Sequence, residues 1–226
     1  MLPSTLATLH DNSYHGEDTF LVRDLGNYGF LDVVLDGVTG HGGGEASRSV
    51  AEALHAATIN SPEDVVAVLQ EQNEEFFQVG GGRFLLTTVS AALYLEERLY
   101  IINAGDSPVY HIGPNSHKQL AGRVGGLLRA GSTKVIGGEK ELAINRSEVI
   151  LEPGDRLVLA TDGITDNLRA AELVDVVRGA ASPEESLTQV KNIIEQRLKE
   201  GRVPEQLGAR YRHDDQTAII RFFGGS

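Results

Sequence analysis

Acidic residues recur at four places along this chain: Gly16-Glu17-Asp18-Thr19-Phe20, Asp36-Gly37, Thr161-Asp162-Gly163 with Asp166 close behind, and Asp214-Asp215. Each lies where a β-rich run starts or stops, so a fold that gathers strand ends would gather these carboxylates. An all-oxygen donor set of this kind suits a hard divalent cation, Mg²⁺ or Mn²⁺, which takes carboxylates and waters near six-coordination. Taken singly, Asp-Gly is an ordinary turn and Glu17-Asp18 or Asp214-Asp215 an ordinary solvated pair. The ordered set, in one recurring local setting, points to a metal site.

Other chemistries are narrowed by composition. The chain has no cysteine, which removes disulfides, thiolate zinc sites and cysteine nucleophiles and leaves oxygen and imidazole groups. A net charge of −12, from 20 Lys+Arg against 32 Asp+Glu, argues against a nucleic-acid partner. No apolar run reaches the roughly 18 residues that span a bilayer, and residues 1–10 lack the basic start of a signal peptide. The expectation is a cytoplasmic protein with no membrane partner.

The elements that must position the carboxylates follow from periodicity and turn signals. Residues 19–23 and 30–35 are β-rich, the second run ending at Asp36. Residues 45–59 place Ala46, Val50, Ala53, Leu54 and Ala57 at helical spacing. Ser61-Pro62-Glu63-Asp64 starts a second helix that runs towards Phe77, and Gly80-Gly81-Gly82 stops it. Residues 84–95 and 99–104 form two long strands, and 108–112 a third after the tight Gly105-Asp106-Ser107 turn. From 113 to 145 the chain is Gly-rich and polar without a clear period, a flap-like surface excursion. Strands resume at 148–151 and 156–160, the latter delivering Asp162. Helices over 170–178 and from the Ser182-Pro183-Glu184-Glu185 start to 201 precede a last strand at 216–223. This order of strands, two helices, strands, two helices, strand favours an α+β fold of sheets covered by helix pairs over an alternating parallel one. With no repeat or linker visible, residues 1–226 read as a single domain.

In this order the motifs resemble the metal-dependent protein phosphatases of type 2C, the PPM family, in its short bacterial-like form. Glu17-Asp18-Thr19-Phe20 is similar to the family's first acidic motif, and Leu35-Asp36-Gly37 through Gly44 to its central signature and glycine run. Asn103-Ala104-Gly105-Asp106-Ser107, Pro153-Gly154-Asp155 through Asp166, and His213-Asp214-Asp215-Gln216-Thr217 match the later motifs. The resemblance extends over nearly the whole chain. It implies a four-layer α-β-β-α sandwich, two antiparallel sheets flanked by helix pairs, with two Mn or Mg ions at the sheet edge. Carried over by position, Asp36 bridges both ions. Asp162 and Asp214 complete one, and Glu17 and the Gly37 carbonyl hold the other, partly through waters. Asp18 is an acceptor behind them, and Asp106 and Asp166 with Asp162 form a weaker third site.

Catalysis would then rest on Asp36, Asp162 and Asp214, around a water that bridges the ions and attacks phosphorus in line. The implied substrate is phosphoserine or phosphothreonine in a protein, within a Ser/Thr kinase pathway. Two other readings stand beside it: a dedicated phosphatase of a partner-switching cascade, and a catalytically weak domain that uses the fold for regulation or binding.

Three positions depart from the family pattern. Ser13 stands where the family carries a phosphate-clamping arginine, and a serine has no guanidinium fork; no phosphate-binding residue is assigned. Val38 follows Asp36-Gly37 where eukaryotic members have a proton-donating histidine; His10, His15 and His213 are the candidate acids, each equally read as a plain surface residue. Leu86-Thr87-Thr88 replaces a Gly-Thr-Thr strand. His41 reads as a loop residue, and the 40–44 glycine run as a turn, since it lacks the Lys-Ser/Thr of a P-loop.

Overall fold

The structure, a computed structural model, describes residues 2–27, 29–122, 134–200 and 213–224. One five-stranded sheet contains, in spatial order, β2 (Thr19–Gly26), β3 (Gly29–Leu35), β4 (Val89–Leu95), β5 (Arg98–Ala104) and β8 (Asn145–Ile150). The other contains β1 (Ser4–Asp11), β10 (Gln216–Phe223), β9 (Arg156–Ala160), β6 (Val109–Ile112) and β7 (His117–Ala121). Every strand pair is antiparallel. Helices α1 (Gly43–Ala56) and α2 (Pro62–Gly80) belong with the first sheet. A one-turn α3 (Asp162–Thr165), α4 (Ala170–Gly179) and α5 (Pro183–Glu200) belong with the second.

Three layers of core follow from alternation along the strands. Leu31, Val33 and Leu35 of β3 pack with Val50, Leu54, Val65 and Leu69 of α1 and α2. Val158, Ala160, Ala218 and Ile220 pack with Leu173, Val177, Val190 and Ile194 of α4 and α5. The intervening residues Phe30, Val34, Leu157, Leu159, Ile219 and Phe223 point the other way and meet between the sheets. Both faces of the central strands are therefore covered, which is why β3, β4 and β9 are near-continuous apolar runs although their pairing is antiparallel. The expected four-layer sandwich of two antiparallel sheets between helix pairs is the architecture observed.

A buried ion pair crosses the middle layer. Arg221 of β10 donates from Nε and Nη2 to the two carboxylate oxygens of Asp32 on β3, each at 2.8 Å, while its guanidinium lies 3.8 Å over the Phe30 ring. Phe30 also stacks with Tyr94 and Phe223 at 5.4 and 6.1 Å between centroids.

Local signals and structure differ at particular places. The Ser61 start is a complete capping box: the Asp64 N–H donates to Ser61 Oγ and the Asp64 carboxylate accepts from the Ser61 N–H. The strand read from residue 84 begins only at Val89, because Leu85 adopts φ 58 and breaks extension. Within the 113–145 excursion, residues 117–121 form β7 and Ile136 bridges Thr87, while residues 123–133 lie outside the described set. The expected end of the last helix at 201 also lies outside it. Strand β1 had no counterpart in the sequence reading. Among the described residues no helix is long and apolar enough to cross a membrane.

Register then gathers the acidic motifs. Thr19 pairs with Leu35, Ala160 with Ala218, and Val89 with Ala104. Residues 17–18, 36, 106, 162 and 214 thus all lie just beyond strand ends at one end of the sandwich.

Candidate active site

Asp36 occupies the middle of this cluster, and its main chain is held from the neighbouring strand. Its N–H donates to Thr88 Oγ1 at 3.1 Å, and its carbonyl accepts from the Thr88 N–H and from Thr87 Oγ1 at 2.8 and 3.0 Å. The next residue must be glycine: a Cβ on Gly37 would stand 2.4 Å from the Gly43 carbonyl carbon and 2.7 Å from the Glu17 carbonyl oxygen. The absence of that Cβ lets the start of α1, the Asp36 turn and the Glu17 turn touch.

Asp162 arrives from β9 as the first residue of α3, and its carboxyl interacts electrostatically with that of Asp36. Burial raises the Asp36 pKa well above the usual carboxylate range, and the charges of Asp162, Asp18 and Asp106 raise it further. Burial likewise pushes Asp162 up to about 6, with Asp166, Asp214 and Asp106 adding to it. Asp18 is pushed up to about 7, first by burial and then by Asp215 and Asp162, although the Thr161 and Thr217 hydroxyls oppose the shift. Thr161 Oγ1 donates to Asp18 Oδ2 at 2.8 Å. Asp18, Asp36, Asp106, Asp162, Asp166 and Asp214 therefore form one electrostatically linked group, as their positions in the motifs anticipated.

Glu17 joins the group through its main chain. Its carbonyl accepts from the Gly37 N–H at 3.2 Å and from Ser47 Oγ of α1 at 2.7 Å. Its N–H donates to Asp215 Oδ2 at 2.8 Å, while Asp215 Oδ1 takes the His15 and Tyr14 N–H groups at 3.0 and 3.1 Å. Burial would raise the Asp215 pKa, but these three donors and the nearby His15 outweigh it and hold the carboxyl below its ordinary value. Asp215 thus fixes the 14–17 turn, a role that sequence reasoning missed. Its only sequence signal was adjacency to Asp214.

Gly163 has the strictest requirement of all. A Cβ there would fall 1.9 Å from the Asp215 carbonyl oxygen, so α3 can lie against the 214–215 segment only with glycine at this position. The imidazoles are engaged at the rim. His15 Nε2 is 3.8 Å from Asp214 Oδ1, His213 Nδ1 is 2.7 Å from the Tyr14 hydroxyl, and His10 Nδ1 is 3.1 Å from Thr217 Oγ1. His41 bonds the Arg83 carbonyl through Nδ1 at 2.7 Å, consistent with a loop role.

The residues present fit a hard divalent cation. Glu17 Oε2 is buried without a hydrogen-bond partner among the described residues, and the surrounding donors are carboxylates that repel one another. A cation would satisfy the first and relieve the second. Among the described residues no three acidic or imidazole side chains stand close enough together to hold a metal ion as they are placed, so binding would require these carboxylates to turn towards it.

Comparison with known proteins agrees with the geometry. The profile of the family described as stage II sporulation protein E (SpoIIE) matches residues 29–221. The protein phosphatase PhpP of Streptococcus pneumoniae is 27% identical over 175 residues, covering 64% of this chain and 71% of that protein. Among solved structures, PppA, a key regulatory component of T6SS in Pseudomonas aeruginosa, superposes with a TM-score of 0.78 at 21% identity, over 97% of both chains. The catalytic domain of the serine/threonine protein phosphatase PstP, solved with two manganese ions, gives 0.75 at 21% identity over the whole of both chains. At these identities the two structures establish the fold.

Proposed function

Because the chain belongs to the SpoIIE family of PP2C-type domains, we propose that it is a metal-dependent protein phosphatase acting on phosphoserine and phosphothreonine. The observation that carries this reading is the coupling of Asp36 and Asp162 to four further carboxylates at one end of the sandwich. Asp36, Asp162, Asp214, Glu17 and the Gly37 carbonyl are assigned to two Mn²⁺ or Mg²⁺ ions, and Asp106 and Asp166 with Asp162 to a third. Asp18 supports them from its buried position against Thr161.

Each protein group has a physical task in this scheme. Thr87 and Thr88 hold the Asp36 main chain and so fix the position from which its side chain extends. Asp215 holds the Glu17 turn, and the Ser47 hydroxyl ties that turn to α1. Bound divalent cations supply the positive charge that lets an acidic pocket accept a phosphate dianion, and they acidify water for in-line attack at phosphorus. Such preorganisation contributes because the ligands need not reorganise during the reaction.

The whole chain is assigned to one catalytic domain, placed in the cytoplasm within a Ser/Thr kinase signalling pathway. An acidic, cysteine-free composition supports this, together with relatives named as serine/threonine phosphatases, such as stp of Listeria welshimeri, 24% identical over 201 residues. A second reading, a binding domain without turnover, is favoured by Ser13. Hydrolysis of a phosphothreonine peptide with Mn²⁺, and its loss in excess chelator, separates the two. Turnover that persists with metal content measured at zero sinks the metal-dependent mechanism, and metal-loaded protein with no turnover leaves the binding domain.

A further inference from the structure

The residue that holds the substrate phosphate is unassigned in the scheme above, and the obvious candidates are committed elsewhere. Ser13 is exposed and offers its N–H to Asp11 Oδ1 at 3.2 Å. Arg23 gives Nη1 to the Leu54 and Ala57 carbonyls at 2.8 and 2.7 Å, closing the end of α1. Tyr14 and His213 bond each other, and His15 faces Asp214.

Arg48 is placed differently. It is exposed, on α1, and makes no hydrogen bond or ion pair with another described residue. Gly44 lies one turn earlier on the same helix face, and helical side chains lean towards the N-terminus, so Arg48 extends back over Gly44. A Cβ on Gly44 would stand 3.3 Å from Arg48 Nη1, 2.8 Å from the Gly16 carbonyl oxygen and 3.5 Å from Glu17 Cα. The guanidinium therefore hangs beside the Gly16-Glu17 turn, over a gap that exists only because residue 44 has no side chain. Its neighbour Ser47 is bonded to the Glu17 carbonyl, and Gly43 backs onto Gly37, so the helix carrying Arg48 is fastened to both arms of the acidic site.

We propose that Arg48 binds the substrate phosphate, supplying from helix α1 the guanidinium that Ser13 does not provide. The inference rests on the phosphatase reading. Two parallel N–H groups match two phosphate oxygens, a geometry a lysine cannot reproduce. A rigid helix aims the fork, where the family's clamp comes from the chain just before the first acidic motif.

Two measurements test this on the Mn²⁺-loaded protein: calorimetric titration with orthophosphate, and steady-state hydrolysis of para-nitrophenyl phosphate. Arg48→Ala should weaken orthophosphate binding about tenfold or more and raise KM by a similar factor, with a smaller effect on kcat. Arg48→Lys should recover only part of the loss. Arg83→Ala, an exposed arginine in the turn after α2, should match the parent. Orthophosphate affinity unchanged in Arg48→Ala, full recovery with lysine, or a parent that binds no orthophosphate overturns the proposal. A parent that turns over while Arg48→Ala binds orthophosphate normally defeats this inference alone. A parent that binds orthophosphate through Arg48 but hydrolyses nothing defeats the phosphatase reading and leaves the binding site standing.

Discussion

At the scale of single residues, the acidic site opposes folding when no cation is present. Asp18 and Asp162 have native pKa values near 7 and 6, above the ordinary carboxylate value. The native state then holds more protons than the unfolded state between about pH 4 and pH 7, so stability must fall as pH rises through that window. Metal-free protein should therefore lose Tm, on the order of 5 °C or more, between pH 4.5 and 7.5. Mn²⁺ should restore more at the upper end, where the carboxylates are free to bind it. A scanning-calorimetry series across pH, with and without Mn²⁺, checks the sign. Asp36→Asn follows from the same repulsion. It should raise the Tm of the metal-free protein at pH 7.5 while lowering phosphatase activity by at least a hundredfold, and a near-parental rate would remove Asp36 from the centre of the scheme.

At the scale of elements, small residues decide whether turns can meet. Gly163→Ala drives a methyl group into the Asp215 carbonyl and must displace α3, Asp162 with it. We expect a loss of about 3 kcal/mol or more in stability and loss of activity. Gly179→Ala at the end of α4 meets nothing within 4 Å and should be neutral or stabilise by about 0.5–1 kcal/mol. Equal urea midpoints for the two variants would contradict the steric argument. Most elements were legible in the sequence because their signals are local: the Ser61 box, the apolar spacing of α1, and the Asp-Gly pairs at strand ends. Strand β1 was not legible because it lies at a sheet edge and alternates weakly, and β7 because its residues 117–119 are polar, His117 and Lys118 being exposed. Leu85 shows the limit of propensity: a leucine holds a left-handed φ because the turn leading to Thr87 and Thr88 requires it. The acidic ligand candidates could be picked from their motifs, whereas the contacts of Asp215 with the 14–17 turn, and the place of Arg48 beside that turn, arise only from the packing of distant segments.

At the scale of the molecule, the two halves of the sandwich are joined by an apolar layer that contains, among the described residues, one charged pair. The Arg221 and Asp32 side chains are 7% and 0% exposed, and burial holds the Asp32 pKa above its ordinary value despite the arginine. Removing one partner leaves a bare charge between the sheets. Arg221→Met should cost about 3–5 kcal/mol, roughly 10 °C in Tm. The deficit should shrink as pH falls and Asp32 takes up a proton. Replacing both, Asp32→Leu with Arg221→Met, should recover most of the loss. If the double variant is as unstable as the single one, the damage comes from lost packing against Phe30 and not from the unpaired carboxylate.

Strand β10 lies between β1 and β9, and His10 meets Thr217 across 207 positions of sequence. During synthesis, β1 therefore waits for a partner that is made only after all the described helices. Asp18, whose hydroxyl contacts come from Thr161 and Thr217, waits with it. Chains of such long-range pairing fold slowly. A nascent chain halted before residue 216 would leave open the edge of β9 that pairs with β10, a natural target for chaperones. Its site carboxylates would all have been made, but Asp18 would lack its Thr217 contact and Asp214 the strand that follows it, so assembly of the site waits for β10.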